Sequence, residues 1–161
     1  MWKGLMIGAL VLVGTLGLLA LRLFQPALFD PALRREFAVT GLAVGQATRA
    51  EMLARFGDPV REMQESAAAV YEYPAQGLLL RIDSATDRLI WYEITTPAFP
   101  TGRGVRVGAS LSEIRAAYGS GGVLARFTGR ARLRFAYGTA YALEFWLGEQ
   151  DRLKRIVFYQ A

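Results

Sequence analysis

The sequence predicts an α+β protein in which one N-terminal transmembrane helix precedes two helix-βββ repeats, forming antiparallel sheet with helices on one face. Two observations lead to this fold class: an uncharged apolar run near the start, and a pattern that recurs in the second half. Composition excludes several kinds of active site and metal site, because the 161-residue chain contains no Cys and no His. Thiol catalysis, zinc sites built from Cys or His, and Ser-His-Asp chemistry are therefore excluded. We expect no enzyme activity, no cofactor and no metal.

The apolar run covers residues 4–21, between Lys3 and Arg22. At about 1.5 Å per residue, a helix of this length spans roughly 27 Å, close to the hydrocarbon thickness of a bilayer. We predict a transmembrane anchor at residues 1–24 and a tether at residues 25–40. A cleaved signal peptide is the alternative interpretation.

Small residues line one stripe of this predicted helix. Gly4 and Gly8 form a G-x-x-x-G pair, and Thr15 continues the stripe. Small side chains allow a second helix to approach closely, so these three residues are candidates for packing against a transmembrane partner. The alternative is that they are ordinary small residues of a membrane helix.

The second half of the chain repeats the pattern of the first at an offset of 62 to 64 positions. The matched pairs are Gly41 with Gly104, Gly45 with Gly108, Thr48 with Ser110, Glu51 with Glu113, Gly57 with Gly119, and Asp87 with Asp151. We predict repeat 1 at residues 41–100 and repeat 2 at residues 101–161.

Each repeat begins with a short capped helix. Thr48 or Ser110 provides the N-cap, the Glu three residues later completes a capping box, and a Gly ends the helix. Three strands follow in each repeat, separated by turn residues. They are predicted near residues 70–73, 78–82 and 89–94 in repeat 1, and near 130–137, 142–147 and 153–159 in repeat 2.

Basic residues are concentrated in repeat 2. Residues 101–161 carry a net charge of +6, whereas residues 37–100 carry −3. Arg130, Arg132 and Arg134 alternate along one predicted strand and therefore share a face. Such a face attracts lipid headgroups or an acidic protein. Nucleic acid is not expected, because no reading motif is present; the alternative is an ordinary solvated strand face.

Alternation along the strands also predicts which aromatic residues lie opposite to the core. It assigns Tyr92 and Ile90 to the core and leaves Leu89 on the open face. Because Trp, Tyr and Arg dominate interface hot spots, this face is predicted to bind a partner. The candidate partner-binding residues are Trp91, Trp146, Tyr159, Arg130, Arg132, Arg134 and Arg155. The alternative is that the linker or the other repeat covers this face.

Several of these motifs resemble a known family. The G-x-x-x-G start of each repeat, the capped helix ending in Gly, the Tyr71-Glu-Tyr73 and Phe135-Ala-Tyr137 pairs and the Asp-Arg-Leu turns resemble the SmpA/OmlA (BamE-like) lipoproteins of outer-membrane assembly. The tandem arrangement is also similar to the β-lactamase inhibitor protein. The resemblance covers residues 41–161 and implies a fold and a habit of binding proteins. It transfers no interface residue, since the chain lacks the acylated Cys and the disulfides of these proteins.

Together these features predict a non-catalytic, membrane-anchored accessory or assembly subunit of a bacterial membrane protein complex. We expect a single-pass protein of the inner membrane with its C-terminal domain outside the cytoplasm, contacting an integral membrane partner and no small-molecule substrate. The alternative is an anchored inhibitor or ligand-binding module acting on a soluble extracytoplasmic protein. A small hydrolase is the weakest interpretation.

Overall fold

Eight strands of one antiparallel sheet make up most of the structure, a computed structural model that describes residues 31–160. The order across the sheet is β1-β2-β3-β4-β8-β7-β6-β5, so β4 and β8 join the two halves while β1 and β5 are the edges. The strands are β1 (Arg61–Gln64), β2 (Ala68–Tyr73), β3 (Leu78–Asp83), β4 (Leu89–Ile94), β5 (Val123–Phe127), β6 (Arg130–Tyr137), β7 (Tyr141–Leu147) and β8 (Leu153–Gln160).

Within the described residues, three short α-helices accompany the sheet: α1 (Pro31–Glu36), α2 (Arg49–Phe56) and α3 (Leu111–Tyr118). The two capping boxes that the sequence predicts are present. The Thr48 N–H donates to Glu51 Oε2 at 2.8 Å, and the Ser110 N–H donates to Glu113 Oε2 at 2.7 Å. Each box satisfies amides that have no partner inside the helix, which explains why α2 and α3 begin at equivalent positions.

The two halves repeat the same connection between helix and sheet. The Leu89 N–H donates to the Ala47 carbonyl at 2.8 Å, and the Leu153 N–H donates to the Ala109 carbonyl at 2.8 Å. In both halves, the residue that begins the last strand is therefore bound to the residue just before the helix N-cap. The internal similarity of the sequence corresponds to the same local structure in each half.

The core lies on the helix side of the sheet. Alternate strand side chains point to this side and meet the apolar residues of α2 and α3. Fully buried residues of this cluster are Leu80, Tyr92, Phe145 and Phe158 of the sheet with Met52 and Ile114 of the helices. Burial of each such side chain contributes about 1.5–3 kcal/mol, so this layer holds the helices against the sheet.

The predicted helix-βββ repeats were wrong. Each half contributes four strands, and all eight belong to a single sheet. The additional strands, β1 and β5, follow Gly57 and Gly119 in segments for which no strand was predicted. Three of the four residues of strand β1, Arg61-Glu-Met-Gln64, are polar, because an edge strand is defined by backbone pairing more than by burial.

The alternation predicted at the start of β4 was also wrong. Leu89 is fully buried, and Ile90 is only partly buried. A β-bulge causes the difference, since Arg81 pairs with Trp91 and the next residue, Ile82, pairs with Leu89. Ile90 is the extra residue, and the predicted alternation applies from Trp91 onward.

Within residues 31–160, no helix is long and apolar enough to cross a membrane. The described residues thus contain no helix that matches the predicted single-pass inner-membrane protein with an extracytoplasmic domain, and that placement is not retained. The predicted anchor, residues 1–24 with Gly4, Gly8 and Thr15, lies outside the described residues.

The described part of the predicted tether is integrated into the domain. Phe37 is 1 % exposed, and its ring makes edge-to-face contacts with Tyr137, Tyr141 and Phe158 at centroid distances of 5.4–5.6 Å. Edge-to-face aromatic pairs of this kind add stabilisation beyond area burial. Residues 31–40 are thus a structural part of the domain.

Candidate functional site on the outer face of the sheet

The face of the sheet opposite to the core, the outer face, brings together most of the sequence-predicted binding residues. Strand register places Arg132 opposite Trp146 and Arg134 opposite Glu144 between β6 and β7. It also places Trp146 opposite Arg155 between β7 and β8. Since directly opposite residues share a face, these side chains form one surface. We call Arg130, Arg132, Arg134, Trp146 and Arg155 the arginine–tryptophan cluster.

Trp146 is the centre of this cluster. The guanidinium carbon of Arg155 lies 4.5 Å from its ring centroid, and those of Arg130 and Arg132 lie at 5.6 Å. All three distances are within the range of cation–π attraction. The ring of Phe127 stacks beside Trp146 with a centroid distance of 6.3 Å and an interplanar angle of 18°.

The buried side chain of Glu144 contacts several members of the cluster and holds them in place. Its side chain is 8 % exposed and lies 3.4 Å from Arg132 Nη1 and 3.8 Å from Arg134 Nε. The indole N–H of Trp146 donates to Glu144 Oε2 at 3.0 Å, and the Tyr159 O–H donates to Oε1 at 3.2 Å. A buried carboxylate requires such compensation, so the four contacts fix the orientation of their donors.

Positive charge exceeds negative charge in this cluster. Its four guanidinium groups face two carboxylates, Glu144 and Glu93, of which Glu93 Oε2 pairs with Arg155 Nη1 at 3.1 Å. Among the described residues, Arg130 has no ion pair and contacts the Phe127 and Trp146 rings, while the buried Nε of Arg132 has no hydrogen-bond partner. Burial raises the pKa of Glu93, and the neighbouring Arg155 opposes this shift. The surface therefore retains unused donors and surplus positive charge.

The structure places Tyr159 in the cluster's hydrogen-bond network and Trp91 outside it. The hydroxyl of Tyr159 accepts from Arg134 Nε at 2.9 Å. Trp91 lies opposite Tyr159 on the same face, but its ring contacts the guanidinium of Arg81 at 5.2 Å. Arg81 in turn pairs with Glu65. The partner-binding role of the seven predicted residues stays a prediction.

Two exposed apolar residues at the margin of this face were not predicted from the sequence. Val123 is 72 % exposed and Phe127 is 46 % exposed, both on the outer face of β5. The short, mostly apolar run Val123-Leu-Ala-Arg-Phe127 was the available signal for a strand. It was obscured because the preceding Gly119-Ser-Gly-Gly122 segment is typical of a loop.

The linker between the halves, residues 95–109, lies on the core side of the sheet. Val105 is 6 % exposed within the core cluster, and Phe99 and Val107 pack against that cluster. The linker therefore does not cover the arginine–tryptophan cluster, which was one of the alternatives that the sequence left open.

The polar side chains that line the main cavity on the helix side are already hydrogen-bonded within the protein. A cavity of about 1070 Å³ is lined by residues that include Glu51, Arg55 and Arg88. Each of these side chains already has a partner. Glu51 completes the capping box of α2, Arg55 donates to the Thr40 carbonyl, and Arg88 donates to the Gln46 carbonyl. Across residues 31–160, no group of three or more Asp or Glu side chains is arranged to hold a metal ion.

No protein-family model and no curated protein matches this chain. Its structure is similar to that of a DUF4309 family protein, YjgB, from Bacillus subtilis, with a TM-score of 0.53 and 14 % identity over 81 % of this chain and 95 % of that chain. It is also similar to an extracellular protein containing an SCP domain from Bacillus anthracis, with a TM-score of 0.55 and 7 % identity over 75 % of this chain and 45 % of that chain. These two likenesses show a shared fold.

A third similar structure is a protein from Streptococcus mutans provisionally assigned as a β-lactamase inhibitor protein, with a TM-score of 0.34 and 13 % identity over 75 % of this chain and 92 % of that chain. The name of this third protein corresponds to the inhibitor-like resemblance that the sequence indicated. None of these three structures is a BamE-like protein, and the predicted kinship with membrane-assembly lipoproteins is not retained.

Proposed function

We propose that this chain is a non-catalytic binding module that contacts a partner protein through the outer face of its sheet. The observation that carries the proposal is Trp146 on that face, with the guanidinium groups of Arg130, Arg132 and Arg155 within 5.6 Å of its ring centre. Trp and Arg are the residue types most enriched at interface hot spots.

The contacts beneath the surface favour binding because they order the surface side chains before a partner binds. Glu144 holds Arg132, Arg134 and the indole of Trp146 in defined orientations before any partner arrives. Immobilising a long side chain on association costs about 0.5–1.5 kcal/mol. Side chains that are already ordered avoid part of this cost, so the cluster is suited to recognition.

The inhibitor or ligand-binding interpretation of the sequence agrees better with this surface than the assembly-subunit interpretation. The inhibitor or ligand-binding interpretation also included an anchor, but its binding step requires only the described sheet domain and one exposed face. The assembly interpretation depended on a membrane placement and a BamE-like kinship, neither of which is retained.

Site-specific photo-crosslinking in the cells that produce the protein tests the proposal. A benzoylphenylalanine replaces Phe127 at the margin of the cluster, and the matched control carries it at Ala116, an exposed position of α3. We expect a discrete crosslinked protein from position 127 and none from position 116. We further expect Trp146→Ala to reduce the yield at position 127 while circular dichroism of the variant stays unchanged.

Two results would contradict the proposal. One is the absence of a crosslinked protein from position 127 and from a second probe at Val123. The other is an equal yield from the control position on α3, which would mean that the outer face is not the contact surface.

A further inference from the structure

Strand β5 is an open edge of the sheet. It is the last strand in the sheet order and pairs, among the described residues, with β6 alone. All five of its residues are in continuous register with β6, so its other side is straight and regular. An edge of this kind presents unpaired N–H and C=O groups to any extended chain that comes alongside.

The opposite edge, β1, is protected against such pairing. It is only four residues long, and Pro59 lies two positions before its start. It also carries an ion pair, since Glu62 contacts Arg49 at 3.1 Å. Short length, charged side chains and proline are the usual means of blocking an edge. Strand β5 also carries an ion pair on its helix side, between Arg126 and Asp151, but it has no proline, and its outer-face residues are Val123, Ala125 and Phe127.

The arginines of β6 lie directly behind this open edge. Arg134, Arg132 and Arg130 are the partners of Val123, Ala125 and Phe127, respectively. A strand added beside β5 would lie about 10 Å from β6, twice the spacing between neighbouring strands. Between Arg132 and such a strand lies only the short side chain of Ala125. An arginine and a glutamate side chain reaching toward each other span this distance.

The positive charge of the cluster favours acidic side chains on the added strand. Arg130 is exposed and has no ion pair among the described residues, whereas Arg132 pairs with Glu144 at 3.4 Å and is left with surplus positive charge beside it. A carboxylate would provide the acceptor that Arg130 lacks, in the bidentate geometry that guanidinium groups favour. A second copy of this chain is disfavoured as the occupant, since residues 101–161 carry +6 and β5–β5 pairing would bring two such surfaces together.

We propose that the partner presents an extended acidic segment that pairs with β5 as a ninth strand and places carboxylates over Arg130 and Arg132. This inference rests on the proposed function and specifies the class of partner for the same site. Backbone pairing provides affinity, and the alternate acidic side chains provide specificity.

Selection from a phage-displayed library of random peptides against the full chain tests the acidic preference. We expect the selected peptides to be enriched in Asp and Glu that alternate with apolar residues. The affinity of a selected peptide should fall about tenfold or more in the double variant Arg130→Gln/Arg132→Gln. The matched control, Arg61→Gln/Arg115→Gln, removes the same charge from exposed positions away from β5 and should leave the affinity nearly unchanged.

N-methylation of a selected peptide tests strand pairing. Methyl groups on alternate backbone nitrogens block one edge of an extended peptide and leave the other edge free. We expect one of the two alternate sets to abolish binding and the other to be tolerated. Equal tolerance of both sets would overturn the strand-addition part of the proposal.

Other outcomes separate this inference from the proposed function. Selected peptides without acidic enrichment, together with intact crosslinking at position 127, would refute the acidic segment and leave the proposed function standing. Loss of crosslinking would refute the proposed function itself. A dimer in sedimentation equilibrium that is disrupted by Ala125→Pro would assign the edge to a second copy and overturn the inference.

Discussion

Replacement of Glu144 by Ala is the perturbation that most directly tests how the outer face is organised. The variant removes the acceptor of two hydrogen bonds, from the Trp146 indole at 3.0 Å and from the Tyr159 hydroxyl at 3.2 Å. It also removes the ion-pair partner of Arg132 and Arg134. We therefore expect a loss of stability and a loss of order in the cluster.

The magnitude follows from the exposure of each partner. A net contribution of about 1 kcal/mol for each of the two hydrogen bonds gives about 2 kcal/mol. The arginine side chains are 36 % and 41 % exposed, so their ion pairs are screened by water and add about 1 kcal/mol or less in total. Release of the buried carboxylate from its desolvation offsets part of this sum. The free energy of unfolding should therefore fall by about 2 kcal/mol.

Urea denaturation at neutral pH measures this loss. With an m-value of about 2 kcal/mol/M, the midpoint should shift by about 1 M without a change in slope. Glu149→Ala removes an equal charge from an exposed residue of the same half and should change stability by less than about 0.5 kcal/mol. An equally small effect of Glu144→Ala would refute the reasoning, because it would mean that the four contacts contribute nothing net.

Three further variants test local parts of the fold. Ser110→Ala removes the N-cap of α3 and should lower the free energy of unfolding by about 1 kcal/mol in urea denaturation; an unchanged value would contradict the capping box. Gly119→Ala should lower it by about 1 kcal/mol through backbone strain alone, since φ is +80° and nothing lies within 4 Å of an added Cβ; full stability of this variant would contradict that conformation. Burial raises the pKa of the Glu36 carboxyl above its usual value of 4.5, although the hydrogen bond donated by Tyr118 opposes this shift. The folded protein therefore binds the carboxyl proton more tightly than the unfolded chain does. Stability relative to Glu36→Gln should then fall as the pH rises from about 4.5 toward neutral, and a difference that is constant or rises over this window would exclude the assignment.

The sequence alone determined the features that depend on neighbouring residues. Capping boxes join residues three positions apart, so Thr48 with Glu51 and Ser110 with Glu113 could be assigned directly. Strands such as β3 and β6 could be located because alternation of apolar residues is a local signal. The placement of Arg130, Arg132 and Arg134 on one face follows from the same alternation.

Tertiary structure alone decided how these pieces combine. Pairing of β4 with β8 joins residues more than 60 positions apart, such as Trp91 with Tyr159, and no local pattern specifies that a single sheet results. The same is true of the bulge that buries Leu89 and of the edge strand β5. Register between β6, β7 and β8 brings Arg132 and Arg155 onto the two sides of Trp146. The candidate site therefore exists only in the folded sheet, because hydrogen bonds between distant strands determine which side chains become neighbours.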